Sequence, residues 1–353
     1  MKKILILLVV PAFLFSCTGN QQKQQEKKRD TKVVPQAEKD LLSKAQALFK
    51  VLPMKAVHPD NPVTEAKVKL GKILYYDNRL SKDQTQSCNT CHNLATYGVD
   101  NLPTSPGDNG IPGTRNSPTV LNAALKTAQF WDGRNKDVEE QAGGPILNPA
   151  EMAIPNEHFL IDRLKKTDLY PPLFAAAFPR EKDPFTYKNV RFAIAAFERT
   201  LLTPAKFDNY LTNNIAALST EEKAGLKTFM DIGCIACHSG SLLGGTMLQK
   251  FPLFGNYEDY IPGGNPDYGK FVETKVEADK FMFFVPLLRN VEKTTPYLSD
   301  GSVADLGETI RIMGKAELNK DLTDQQVNDI LAFFNTLTGE VKADWQTVPE
   351  ELK

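Results

Sequence analysis

Histidine, tryptophan and cysteine are all scarce in this 353-residue chain, with four, two and five copies respectively. Charge of one sign is lacking too. The 42 basic side chains face 43 acidic ones, which excludes a nucleic-acid binder that works by broad phosphate neutralisation. No βαβ pattern runs along the chain, so a parallel sheet wound with crossover helices is excluded and a mainly α fold is expected. With so few histidines and cysteines, their placement is informative. Four of the five cysteines form two pairs, and each pair is followed at once by a histidine: Cys88-Asn89-Thr90-Cys91-His92 and Cys234-Ile235-Ala236-Cys237-His238.

Cys-x-x-Cys-His is the pattern of covalent c-type haem attachment. Two thiols add to the vinyl groups of one porphyrin, and the adjacent imidazole supplies the proximal ligand. Two redox dithiols, or two halves of a four-thiolate zinc site, would also use paired cysteines. Neither explains a histidine after both pairs in a chain with only four. The expectation is two covalently bound c-type haems.

The fifth cysteine has a separate context. Met1-Lys2-Lys3 precedes an apolar run, Ile4 to Phe15, that is too short to span a bilayer comfortably. The run ends in Leu14-Phe15-Ser16-Cys17, which resembles a bacterial lipobox with Cys17 as the lipidated residue; a plain secretory signal is the alternative. Both place the mature protein outside the cytoplasm. Lipidation would hold it on the periplasmic side of a bacterial membrane, and a plain signal would leave it soluble in the periplasm. Residues 1–17 are thus read as signal and 18–36 as a polar tether rich in Gln, Lys and Glu. The first haem domain is read as 37–202 and the second as 203–353.

Apolar spacing predicts helices over 37–49, from Thr64 to Tyr75, over 120–130, from Asn156 to Leu164, over 187–201 and over 206–211. Ser219 with Glu222 forms a helix-start signature ahead of Ala224, Leu226 and Phe229. Two more helical runs follow, 303–313 and 325–337. The stretch 96–117 is rich in Gly and Pro and reads as a long ordered loop. Each half runs helix, turn, Cys-x-x-Cys-His. With the likeness of Leu70-Gly71-x-x-Leu74-Tyr75 to Gly225-Leu226-x-x-Phe229, this suggests two cytochrome c-like domains from duplication.

Further stretches carry a resemblance to the bacterial di-haem cytochrome c peroxidases, covering roughly residues 37–337. They are Asn116-Ser117-Pro118-Thr119-Val120-Leu121-Asn122, Gln129-Phe130-Trp131-Asp132-Gly133-Arg134, Gly144-Pro145-Ile146 with Pro149-x-Glu151-Met152, and Pro286-x-Leu288-Arg289-Asn290. The resemblance implies that the haem of Cys88, Cys91 and His92 is the low-potential peroxidatic one. That of Cys234, Cys237 and His238 is the high-potential one, which takes electrons from a small c-type cytochrome or cupredoxin. An axial Met raises haem potential. Met247, Met282 and Met313 all follow His238, and the resemblance selects Met313. It also implies Glu151 as the proton-transfer group for peroxide, with Gln141 nearby, and Trp131 on the electron path between the haems. One calcium ion is implied at Asn116 with backbone oxygens of Thr294 and Pro296. Homodimers are common in that family, although no dimer motif stands out here.

The chain departs from the family at one place. Many members carry a histidine in the loop after the first attachment, which ligates the oxidised first haem and must leave before peroxide binds. The matching position here is Asp108, a poor ligand for haem iron, and no histidine lies between His92 and His158. Either the first haem is open without reductive activation, or another residue closes it; His58 and His158 are the only spare histidines. A di-haem electron carrier or peroxide sensor is the non-enzymatic rival. An oxidase- or maturase-like enzyme acting on a partner protein is the enzymatic one. The methylamine-utilisation di-haem enzymes resemble this family but carry Tyr where Met313 stands.

Overall fold

The computed structural model describes residues 34–261 and 266–353, together with Met1. The signal, Cys17 and nearly all of the tether lie outside the described residues. The fold is mainly helical. The first half holds α1 (Gln36–Leu48), α2 (Glu65–Tyr76), α3 (Cys88–Cys91), α4 (Val138–Gln141), α5 (Gly144–Leu147), α6 (Glu157–Lys165), α7 (Tyr170–Ala177) and α8 (Tyr187–Glu198). The second holds α9 (Lys206–Leu211), α10 (Thr220–Ile232), α11 (Tyr257–Tyr260), α12 (Phe271–Thr274), α13 (Leu306–Leu318), α14 (Asp324–Asn335) and α15 (Ala343–Gln346). Two short antiparallel strands, β1 (Leu248–Lys250) and β2 (Met282–Phe284), pair with Leu248 opposite Phe284.

The long helices begin where side chains can take their unpaired backbone N–H groups. Thr64 accepts from the Lys67 N–H, Thr186 from Asn189 and Asp305 from Glu308. Ser219 with Glu222, and Thr323 with Gln326, form reciprocal capping boxes.

Each half is built on one close helix crossing. α2 packs along α8, and α10 along α14. At the first crossing a Cβ on Gly71 would lie 1.8 Å from the Ala193 carbonyl oxygen; at the second, one on Gly225 would lie 1.9 Å from that of Asp329. Only glycine permits such backbone contact. Four residues on from each glycine an aromatic ring meets a ring of the partner helix. Tyr75 and Phe197 centroids are 5.3 Å apart, and Phe229 and Phe333 5.4 Å. The same device thus occurs on each helix that precedes a Cys-x-x-Cys-His segment.

The two hydrophobic cores are not divided at one point along the chain. The first is built from residues between Leu70 and Leu201 but also takes in Trp345 of α15. The second is built from residues 207–337 but also takes in Leu42 and Ala45 of α1 and the adjoining Phe49. A buried ion pair organises the second half. The Arg289 guanidinium donates to both Asp208 oxygens at 2.8 and 2.7 Å, and Asp208 also accepts from the Leu52 and Ala205 N–H groups.

The helix expected over 120–130 does not form; one 3-10 turn, Ala123–Leu125, stands there. Tertiary bonds override the apolar spacing. Asn122 sits at φ +62°, its Nδ2 donating to the Thr203 hydroxyl and its Oδ1 accepting from the Thr203 N–H. The 187–201 helix stops at Glu198, and the 303–313 helix shifts to Leu306–Leu318.

Candidate functional site

Cys88 and Cys91 occupy the single turn of α3, which Ser87 starts by donating its N–H to Thr90 Oγ1 at 3.0 Å. The approach loop is folded on Ser81, whose hydroxyl accepts from the Thr85 and Gln86 N–H groups. From α2 below, the Tyr75 hydroxyl donates to the His92 carbonyl at 2.5 Å. His92 Nδ1 is buried and meets no partner. Burial lowers the imidazole pKa, against a smaller opposing influence led by the charge of Asp100. A neutral imidazole in that state is suited to ligate a metal.

Cys234 and Cys237 follow Gly233, whose φ of +110° turns the chain off the end of α10. His238 Nδ1 lies 2.9 Å from the Leu243 carbonyl, which leaves Nε2 free to ligate. The Leu243 carbonyl is in reach because residue 244 is glycine at φ +128°; a Cβ there would sit 2.1 Å from the Pro286 oxygen. A cavity of about 320 Å³ opens beside these residues, lined mostly by apolar side chains that include Phe284, Leu288 and Ile310. Met313 of α13 lines this cavity and Met247 and Met282 do not.

These donor sets fit haem. Burial pushes the Cys91 and Cys234 thiols up to about 11 and raises Cys88 as well. The two pairs also do not converge. Among the described residues the one His/Cys/Asp/Glu group with mutually close ligand atoms is His58, Asp137 and Glu139. The Glu139 oxygens there are taken by Arg199, at 2.8 and 2.6 Å, and by Asn61.

The segment carrying Glu151 folds back on itself, with the Met152 N–H on the Pro145 carbonyl and the Ile154 N–H on that of Ile146. Gln141 closes α4 just ahead of this segment. Glu151 Oε1 accepts from Asn148 Nδ2 at 2.8 Å. Burial raises the Glu151 pKa, while the Asn148 bond and the charge of Arg134 pull it down. The carboxyl is close enough to Cys91 for its charge to be felt by that thiol. Arg134 lies 3.5 Å over the Phe130 ring and shares the fully buried Asp132 with Arg115.

Trp131 lines the second cavity, donating Nε1–H to the Asn116 carbonyl at 2.9 Å, while its own carbonyl accepts from Phe284 at 2.6 Å. Asn116, Thr294 and Pro296 line the same cavity. Asp108 is 8% exposed and its carboxylate is fully engaged: Oδ2 accepts from the Asp83 N–H at 2.6 Å and Oδ1 from the Thr85 hydroxyl at 2.5 Å. Its N–H donates to the Glu151 carbonyl at 2.6 Å. The glycines around Asp108 do not leave it loose, because Gly107 packs so closely that a Cβ would sit 2.2 Å from the Ala150 oxygen. The spare histidines face carboxylates elsewhere, His58 Nε2 3.4 Å from Asp137 and His158 Nε2 3.2 Å from Asp162.

Sequence reasoning gave no role to Asn148, Arg134, Lys126, Glu198 or Glu317. Arg134 stands inside a motif that was legible. The others are polar residues whose burial only the fold creates.

A mainly α scaffold with two separate, half-buried Cys-x-x-Cys-His sites is a protein built to hold two c-type haems. Comparison with known proteins agrees. The model of the di-haem cytochrome c peroxidase family matches residues 65–216. The chain is 43% identical over 310 residues to cytochrome c551 peroxidase of Pseudomonas aeruginosa, covering 87% of this chain and 89% of that one. It is 42% identical over 292 residues to cytochrome c551 peroxidase of Nitrosomonas europaea, with 82% and 84% covered. It is 34% identical over 305 residues to methylamine utilization protein MauG of Methylorubrum extorquens, again with 82% and 84% covered. Among solved structures, a MauG-like protein associated with microbial copper homeostasis superposes with a TM-score of 0.76 at 29% identity, covering 85% of this chain and 97% of that one. The chain belongs to the di-haem cytochrome c peroxidase family, and it is an enzyme of the cytochrome c peroxidase type.

Proposed function

We propose that the protein reduces hydrogen peroxide to water, H2O2 + 2 e⁻ + 2 H⁺ → 2 H2O, with electrons from a small c-type cytochrome or cupredoxin. The observation that carries this reading is Glu151, a half-buried carboxyl of raised pKa, held by Asn148 beside the Cys88–His92 site. Haem held there by Cys88, Cys91 and His92 would supply the electron chemistry of the O–O bond. Glu151 takes a proton from one peroxide oxygen and delivers it to the leaving oxygen, and its raised pKa brings it nearer to the working pH. Gln141, at the end of α4 just ahead of this segment, belongs to the same reading. At the second site His238 and Met313 would hold the other haem, which would supply the electron-accepting chemistry for the donor, and Trp131 lines the same cavity. Calcium at Asn116 and the Thr294 and Pro296 carbonyls holds this seam. Cys17 carries the lipid that keeps the enzyme on the periplasmic side of the membrane.

Asp108 belongs to the same reading. Its carboxylate is committed to Asp83 and Thr85, so the first site has no ligand from this loop to shed before peroxide enters. Peroxide turnover by fully oxidised enzyme mixed with reduced donor, set beside enzyme half-reduced beforehand, tests both parts. Immediate turnover in both samples, with a high-spin first haem by EPR, is the expected result. A lag abolished by half-reduction would overturn the open-site part. No turnover in either sample, with both haems loaded, would overturn the peroxidase reading.

A further inference from the structure

Lys126 is an ammonium without a partner in an apolar cavity. It comes from the first half of the chain, yet it lines the cavity of the second Cys-x-x-Cys-His site, with Trp131, Phe284 and Met313. The backbone holds it there: the Lys126 N–H donates to Ala123, and the next residue, Thr127, donates to the Gly245 carbonyl at 3.0 Å. Its stem runs past Gly245, where a Cβ would lie 3.1 Å from Lys126 Cγ, and its Nζ stands 5.2 Å from the centroid of the Phe284 ring. Among the described residues no carboxylate and no hydrogen-bond acceptor meets that Nζ. Burial alone lowers its pKa, to about 8. A lysine held in apolar surroundings, with only an aromatic face beside its Nζ, carries an uncompensated desolvation cost. The cost is relieved if an anion arrives with whatever fills the space.

A haem is such an occupant, because it brings two propionate carboxylates into a cavity whose lining includes two lysines, Lys126 and Lys250, of which Lys126 stands beside Phe284 with no carboxylate partner among the described residues. We infer that Lys126 is the counter-ion of a propionate on the haem attached through Cys234 and Cys237, and that this pairing raises the reduction potential of that haem. An unpaired propionate beside the iron favours the oxidised form, which carries one more positive charge. An ammonium on the carboxylate cancels that field in a medium of low dielectric. The high potential assigned to the electron-accepting site would then come from Lys126 as well as from Met313. This inference rests on the proposed division of roles between the two haems.

Lys126→Gln and Lys126→Arg holoenzymes, each verified to carry two haems, test it by potentiometric titration with each haem followed by its own spectrum. In Lys126→Gln the midpoint of the second haem is expected to fall. At the wild-type midpoint, its ratio of reduced to oxidised form drops roughly three- to tenfold, ~59 mV at the upper end for a one-electron couple. The first haem is unmoved, and Lys126→Arg stays close to wild type. The resonance Raman propionate-bending band shifts in Lys126→Gln and not in Lys126→Arg. If Lys126→Gln loads haem poorly, Lys126→Met keeps the apolar stem against Phe284 and serves in its place. An unmoved second midpoint overturns the inference, as does an equal fall in Lys126→Arg, which would mean the side chain acts through packing rather than charge. Peroxide turnover on the same samples keeps the two readings apart. Turnover with an unmoved midpoint sinks the Lys126 pairing alone, and loaded enzyme without turnover sinks the peroxidase reading.

Discussion

At the scale of single residues, the proposed chemistry depends on a carboxyl, Glu151, whose pKa desolvation raises. Replacing Glu151 by Gln keeps the shape and removes the transferable proton. Turnover should fall by roughly 10²- to 10⁴-fold with the haem spectra unchanged. Asn148 tunes the same group. Its amide stabilises the carboxylate, so Asn148→Ala removes a lowering influence and Glu151 titrates at higher pH. The limb of the pH–rate profile that belongs to Glu151 should move to higher pH in that variant. Glu198 affects stability instead. Burial, with the charge of Glu139 second, pushes its carboxyl up to about 8, and Arg199 offsets part of this. The folded protein therefore keeps a proton that the unfolded chain has lost above an ordinary glutamate value of about 4.3. This contribution is complete below that value, is lost as pH rises towards 8 and is flat beyond it. Glu198→Gln should flatten the decline of the melting temperature between about pH 5 and pH 8, measured by thermal unfolding across that range.

At the scale of elements, two glycines decide how the helices meet. Gly71 and Gly225 let α2 and α10 touch the backbones of α8 and α14. Alanine at either position drives a methyl into a carbonyl oxygen, and the backbone has to separate. Each substitution should cost about 1–3 kcal/mol or more, and the loss should show as a lower denaturation midpoint. Because each helix leads to its own attachment segment, Gly71→Ala should perturb the first haem spectrum and Gly225→Ala the second. The loop around Asp108 is likewise an element held by named bonds. Asp108→Ala leaves the Asp83 N–H and the Thr85 hydroxyl without their acceptor, at a cost of about 1–3 kcal/mol. It also frees the backbone that braces Glu151. Limited proteolysis should cut that loop faster in the variant, and equal rates would contradict the bracing.

At the scale of the whole molecule, each core is completed by a chain end from the other side. α1 packs into the second core, and Trp345 into the first, where its carbonyl accepts from the Tyr76 hydroxyl at 2.6 Å. A chain ending after Glu340 should therefore destabilise the half that binds the first haem, although the cut lies beyond the second. Differential scanning calorimetry with haem-specific absorbance would show it, and loss confined to the second haem would contradict it. Among the described residues no helix is long and apolar enough to cross a membrane.

By itself the sequence determined the class of cofactor, the mainly helical fold and the family. Each of these rests on local signals: Cys-x-x-Cys-His segments, apolar spacing of about 3.6, capping residues such as Thr64 and Ser219, and contiguous motifs. The spacing failed over 120–130, because Asn122 bonds to Thr203, 81 residues away, and no local pattern reports such a partner. The structure alone decided that Asp108 is a tie and not a loose loop acid. It likewise decided that Lys126 lines the cavity of the second site, and that desolvation raises the pKa of Glu151 and of Glu198. Charge state and role depend on desolvation and on neighbours that are distant in sequence, so they come into being only when the chain is packed.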